Sequence, residues 1–389
     1  MQSCLGTGAG YVALLWLTYH HLHTSWAISG VLLADFLPGI ALGAVFGAFA
    51  DRYSRRTLIV TANLLQAGAY GGLALSHTAV PIFALALLAG VGNAMQTPAM
   101  RSALPLIAGE ASQGATALYD ACRWVGITIG PLLAAGLLEI SGVALPLALN
   151  GLSFLVAAAV MATVATARPS AATEGEAGGS GLRAGLAVAF AVPGIGAVIA
   201  CSAGSVIAGG LLNVCEPILA INVLHGKASG YALLVACYGV GMVLASVFVL
   251  RRGSKPAGVL IRRYLYALAL TVAGMSVSAI VGSIWPAALS FAATGYANSL
   301  LLVSETQLIQ LRVPSAVQGR LFGGKNTVES ASIVIGLVGA GALEATVGVR
   351  LTLATGAAIC SVCAVAALVA LASQARGSTP LTKGAPAAS

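Results

Sequence analysis

Ten residues, Gly47-Ala-Phe-Ala-Asp51-Arg52-Tyr-Ser-Arg55-Arg56, close one long apolar run with a carboxylate and three guanidiniums. The next apolar run begins at once with Thr57-Leu58-Ile59-Val60. Charge this dense between two greasy segments suits one setting: the aqueous cuff between two membrane helices. There the backbone is satisfied inside each helix while the arginines stay wet.

The rest of the chain repeats that arrangement. Allowing roughly 20 residues per crossing, the apolar runs give about twelve spans. The first six fall at 3–20, 25–50, 57–76, 80–100, 114–138 and 144–167. The second six fall at 194–224, 228–250, 260–282, 285–311, 317–343 and 349–373. Only 8% of residues are charged and the mean hydropathy is +0.95, which excludes an ordinary soluble domain. The net charge of +8 does not mark a nucleic-acid binder, because the basic residues sit in short loops rather than on one patch.

Loop charge orients the bundle. With the amino terminus in the cytoplasm, sixteen of the nineteen Lys and Arg fall on the inner side, only Lys227 and Arg350 on the outer side, and Arg123 inside a span. All five histidines (His20, His21, His23, His77 and His225) fall on the outer side. They read as polar loop residues; zinc at His20/His21/His23 would need further ligands. The expected setting is a bacterial inner membrane with both termini cytoplasmic. Met1 stands almost inside the first apolar run with no basic residue before it, so the first span reads as truncated.

The chain divides in two. Residues 168–183 switch to Pro-Ser-Ala-Ala-Thr-Glu-Gly-Glu-Ala-Gly-Gly-Ser-Gly between two arginines, the composition of a flexible linker. Residues 1–167 would form one six-helix bundle, 184–375 a second, and 376–389 a cytoplasmic tail. Ala134-Ala-Gly136-Leu-Leu-Glu139 matches Gly339-Ala-Gly341-Ala-Leu-Glu344 at an offset of 205, and Gly151 then matches Gly356.

The pattern G-x-x-x-D-R-x-x-R-R between the second and third spans resembles the loop signature of the major facilitator superfamily, with Ser54 where Gly is frequent. Gly126-Ile-Thr-Ile-Gly130-Pro131-Leu-Leu-Ala-Ala-Gly136 resembles the G-x3-G-P-x2-G-G motif of drug:proton antiporters, with Ala134 and Ala135 replacing glycines. Pro98-Ala-Met-Arg101-Ser-Ala-Leu-Pro105 and Gln310-Leu-Arg-Val-Pro314 are similar to inner loops of macrolide and enterobactin exporters. The fourth span lacks the embedded arginine that many such antiporters carry. The resemblance implies an all-α facilitator fold of about twelve transmembrane helices in two halves with parallel repeats. It implies a monomeric secondary transporter exporting a small hydrophobic, drug-like compound or siderophore against protons, with no cofactor. In the gating role it implies, Gly47, Asp51, Arg52, Arg55 and Arg56 govern the inner gate, Asp51 accepting hydrogen bonds from the amino end of the eleventh span near Gln318–Leu321. The three arginines would contact the other half, Glu110 being one candidate partner. An importer or uniporter on the same scaffold, or a membrane sensor, remains open at this stage.

Acids inside spans are costly, about 2.5–3.5 kcal/mol on insertion scales, so each is a candidate site. Asp35 and Glu216 lie about ten residues from the outer ends of spans two and seven, near mid-depth. A carboxylate there could take and release a proton as a cavity opens to either side, or serve as a neutral structural acid. A carbonyl freed by Pro217 is a possible partner for Glu216. Asp120 and Arg123, three apart, suit an ion pair. Glu305 belongs to a polar run that includes Asn298, Ser304, Gln307 and Gln310 and is expected to contact substrate. Gly39, Gly43 and Gly47, spaced by four, suit close helix packing.

Enzyme-like signals fail. Gly319-Arg-Leu-Phe-Gly-Gly-Lys325-Asn326 has Asn where a phosphate-binding loop needs Ser or Thr, and no strand precedes it. Cys360-Ser-Val-Cys363 lies in an apolar helix and suits packing rather than redox work.

Overall fold

The computed structural model describes residues 2–108, 140–164, 194–252, 256–313 and 315–377, with Val192 and some positions between 119 and 138. The described secondary structure is helical throughout. The first helices are α1 (Gln2–Leu22), α2 (Ser25–Arg52), α3 (Arg55–Leu73), α4 (Ala79–Ala108) and α5 (Ala144–Thr163). There follow α6 (Ile195–Ile218), extended by a π turn at Leu219–Val223, then α7 (Lys227–Arg252), α8 (Ala257–Ile280) and α9 (Ile284–Arg312). The run Ser315–Gly377 is broken at Gly348 (φ 79°, ψ 169°), which separates α10 (315–347) from α11 (349–377). Only glycine enters that backbone region without a steric penalty.

These eleven helices follow eleven of the twelve expected spans to within a few residues, with one extension. The fifth span lies mostly outside the described residues. Eight described stretches are long and apolar enough to cross a bilayer, the last of them containing both α10 and α11. Large apolar side chains cover the outside, as on Leu289 (74% exposed), Val362 and Val369, and this surface fits lipid. Pro98–Pro105, likened to an inner loop, extends α4, and Gly319–Asn326 lies in the first turns of α10, where no phosphate-binding loop can form.

Helices α1–α5 and α6–α11 repeat one packing plan. Gly90 seats α4 against α2, and Gly241 of α7 packs at Tyr296 of α9 in the corresponding place. Gly151 of α5 meets the α3 backbone at Ala67 and Gly71, while Gly356 of α11 meets Met275 of α8. The turn after the first helix of each set holds a histidine in the left-handed region, His23 (φ 50°) and His225 (φ 51°).

The sets touch at the end of the molecule that carries the histidines. The Tyr19 hydroxyl donates to Asn222 Oδ1, and Ser25 Oγ donates to Gly341 O at 3.4 Å. Towards the opposite, basic end α2 stands clear: Leu37, Ile40, Leu42, Val45 and Phe49 are exposed, and a side chain at Gly39 would meet nothing within 4 Å. Close packing, expected from the four-residue glycine spacing, is therefore not present at Gly39. The side chains at positions 43 and 47 lie outside the described residues.

Candidate transport cavity and inner-loop signature

A cavity of about 860 Å³ opens between the two sets of helices. Thr97 and Met100 of α4 and Val160 and Met161 of α5 line it towards the basic end, so it faces that side of the molecule. Both acids singled out at mid-span line it: Asp35 from α2 and Glu216 from α6. Each stands beside a proline bend, Asp35 three residues before Pro38 and Glu216 directly before Pro217. Proline removes a backbone donor and pushes away the carbonyl four residues earlier, which loosens the helix at the acid. Glu216 Oε1 has no hydrogen-bond partner, so the expected carbonyl partner is absent for that oxygen. The π turn after Pro217 widens α6 just past the acid, as such turns often do at functional sites.

Asp35 is held in place by backbone packing. A side-chain carbon added at Gly90 would run into the Asp35 and Ala34 carbonyl oxygens, so only glycine permits α4 to lie this close. Tyr11 of α1 lies within electrostatic reach of both carboxylates.

A second polar surface was not anticipated. Gln66 Nε2 donates to Gln96 Oε1 at 2.8 Å, and Gln96 Nε2 donates to Asn63 Oδ1 at 3.3 Å. These three amides line the cavity with Asn93 and Thr97. The available signal was amides spaced by three in two apolar spans, Asn63/Gln66 and Asn93/Gln96, a pattern that lipid-facing helices avoid.

The polar run on α9 lies elsewhere. Asn298, Ser304, Gln307 and Gln310 do not line this cavity; Asn298 lies near Tyr238, a lining residue. Glu305 is fully buried, 3.7 Å from Lys325 Nζ, which also bonds Glu329 Oε1 at 2.7 Å. Ser202 Oγ donates to the same Glu329 oxygen at 2.6 Å, so α6, α9 and α10 meet in a buried polar cluster.

At the basic end, Asp51 and Arg52 form the last turn of α2, and their side chains lie outside the described residues. Ser54 caps α3, accepting from Thr57 N at 3.5 Å, a use for serine at this position that glycine could not serve. The Arg56 guanidinium donates to Ala162 O at the end of α5, where the helix dipole favours a cation. In the fifth span, Gly130 lies against the α1 backbone at Gly8 and Ala9, and Pro131 lines the cavity. Gly8 also meets Gly126, but Gly136 faces open space. Asp120, Arg123 and Glu110 lie outside the described residues.

The sequence profile described as the Major Facilitator Superfamily matches residues 1–261. The chain belongs to the major facilitator superfamily. Among curated relatives of this transporter, an uncharacterized MFS-type transporter of Bacillus subtilis (strain 168), YfiS, is 24% identical over 366 residues, covering 90% of this chain and 86% of that protein. Macrolide efflux protein A of Streptococcus pyogenes is 19% identical over 345 residues, covering 84% and 83%. Among solved structures, the facilitator is similar to the nucleoside transporter NupG (TM-score 0.72, 14% identity, 95% of this chain and 96% of that one). It is also similar to the POT family transporter PepTSo (TM-score 0.71, 14% identity, 96% and 97%). This facilitator is thus a multi-pass, all-helical membrane transporter.

Proposed function

We propose that this facilitator exports a lipophilic, weakly basic compound in exchange for protons. One observation carries the reading: the cavity holds two carboxylates, Asp35 and Glu216, against tyrosine, phenylalanine and amide walls, with no Lys, Arg or His among its described lining residues. Such a chamber complements a positive charge on an apolar body through ion pairing and aromatic faces. It disfavours an anionic siderophore. The distant relative named for macrolide efflux supports export and a bulky cargo.

In this reading the basic end faces the cytoplasm of a bacterium, because arginines and lysines are retained there. The present conformation is then open to the inside and ready to load. The two bundles, 1–167 and 184–375, joined by the 168–183 linker, rock about the cargo. Release outside lets protons occupy Asp35 and Glu216, and that neutralisation favours return. Glu305, held beside Lys325, acts as a structural group in this scheme. The unit is a monomeric carrier without cofactor or catalytic step. Asp51 and its arginines regulate inner closure, so Asp51→Asn should abolish transport while insertion stays normal.

The test is uptake of a lipophilic amine into inverted vesicles from an efflux-deficient bacterial host. Uptake should depend on the pH gradient, collapse with a protonophore and vanish in Glu216→Gln. Uptake insensitive to the protonophore would sink proton coupling, and movement only in the opposite direction would make the protein an importer.

A further inference from the structure

We propose that the histidine end carries a binding site for a borderline-soft divalent cation such as Zn²⁺ or Cu²⁺, with His21 and His77 as its two protein ligands. His21 lies in the last turn of α1, and His77 lies in the turn between α3 and α4. The Nδ1 of His21 is 3.0 Å from the Leu17 carbonyl oxygen. A carbonyl only accepts, so Nδ1 carries the proton and Nε2 presents a bare lone pair. A fixed backbone partner of this kind orients a histidine for metal binding.

That bare Nε2 stands 3.4 Å from Nδ1 of His77. Without an ion the two rings share only a long hydrogen bond, His77 Nδ1 to His21 Nε2, which a metal would replace. The separation matches two ligands on one tetrahedral ion, since bonds of about 2.0–2.1 Å at the tetrahedral angle put the nitrogens about 3.4 Å apart. The two rings are tilted by 44° with centroids 5.5 Å apart, so neither stacks on the other. Both residues reach solvent, and neither lines the cavity.

No cluster of three or more ligating side chains forms among the described residues, so water would complete the coordination. His20, whose ring centroid is 5.5 Å from that of His21, is the nearest reserve ligand, with His23 beyond it. An ion here would tie the end of α1 to the α3–α4 turn. Tyr19, which bonds Asn222 across the two sets of helices, lies two residues before His21. Occupation would therefore brace the contact that closes the histidine end.

The experiment uses the full, tag-free protein in detergent, titrated with Cu²⁺ and read by electron paramagnetic resonance, with thermal melting as a folding check. One equivalent should bind with hyperfine coupling to two imidazole nitrogens. His21→Gln and His77→Gln should each weaken binding at least about tenfold, while His225→Gln should not. Zn²⁺ should raise the melting temperature of the wild type but not of either variant. The absence of saturable binding, or unchanged affinity in both variants, overturns the site.

Discussion

Helices α1–α5 and α6–α11 share a packing plan yet place their polar side chains differently. In the first set Asn63, Gln66 and Gln96 form an amide chain on the cavity wall beside Asp35. In the second, Ser202 and Lys325 bond Glu329, and Lys325 also stands 3.7 Å from buried Glu305, all away from the cavity, while Glu216 is the acid that reaches it. Neutral amides suit a surface that must release one cargo and accept another, because they hydrogen-bond without the desolvation cost of charge. A buried ion cluster suits a joint that must keep its register, because breaking it strands a charge. Under the proposed export function, this difference would put selectivity mainly in the first set and mechanical integrity in the second.

The sharpest way to break this division is to neutralise acids on each side of it. Glu216→Gln or Asp35→Asn should cut gradient-driven uptake in inverted vesicles roughly 100-fold or more, with protein level unchanged. Glu305→Gln should retain most transport. Equal losses for all three would erase the distinction.

Next comes the ion cluster itself. Lys325→Met leaves Glu305 buried without its cation and should destabilise the protein by about 3–5 kcal/mol, seen as a large fall in melting temperature in detergent. Adding Glu305→Gln should recover much of that fall. A single variant that melts like the wild type would refute the structural role.

Gly90→Ala should have a smaller effect, about 1–3 kcal/mol of overpacking, and should also lower transport, because the backbone at Asp35 must shift. Transport lowered without any change in melting would locate its effect elsewhere. Smallest of all, Gln66→Leu should change the apparent KM for individual cargoes by up to about tenfold, one hydrogen bond's worth, and in different directions for different compounds. A uniform loss across cargoes would indicate that the amide chain is structural.

Much of this layout was legible in the residues. The helices follow directly from apolar runs of bilayer length, and Asp35 and Glu216 stood out because an acid in such a run needs a reason. The amide wall was missed because Asn63, Gln66 and Gln96 lie singly among apolar neighbours, and their convergence depends on how α3 packs on α4. The α9 run does not line this cavity, for the opposite reason. Many polar residues in sequence suggested a lining surface, but several turn inwards, and Glu305 meets Lys325 from α10, a partner that no local spacing reveals. Gly39 was expected to pack and faces open space, because α2 touches the other set only near its histidine end.

That partial contact has an energetic consequence. Among the described residues, polar connection across the closed end comes down to Tyr19–Asn222 and Ser25–Gly341, the latter at the long limit of 3.4 Å. Two such bonds contribute about 1–3 kcal/mol together, the same scale as a typical coupling energy between ligand sites. The polar part of this latch is therefore light. Apolar packing, as of Trp26 on Gly341, supplies the rest of the hold at this end, so losing either polar bond should loosen it only modestly.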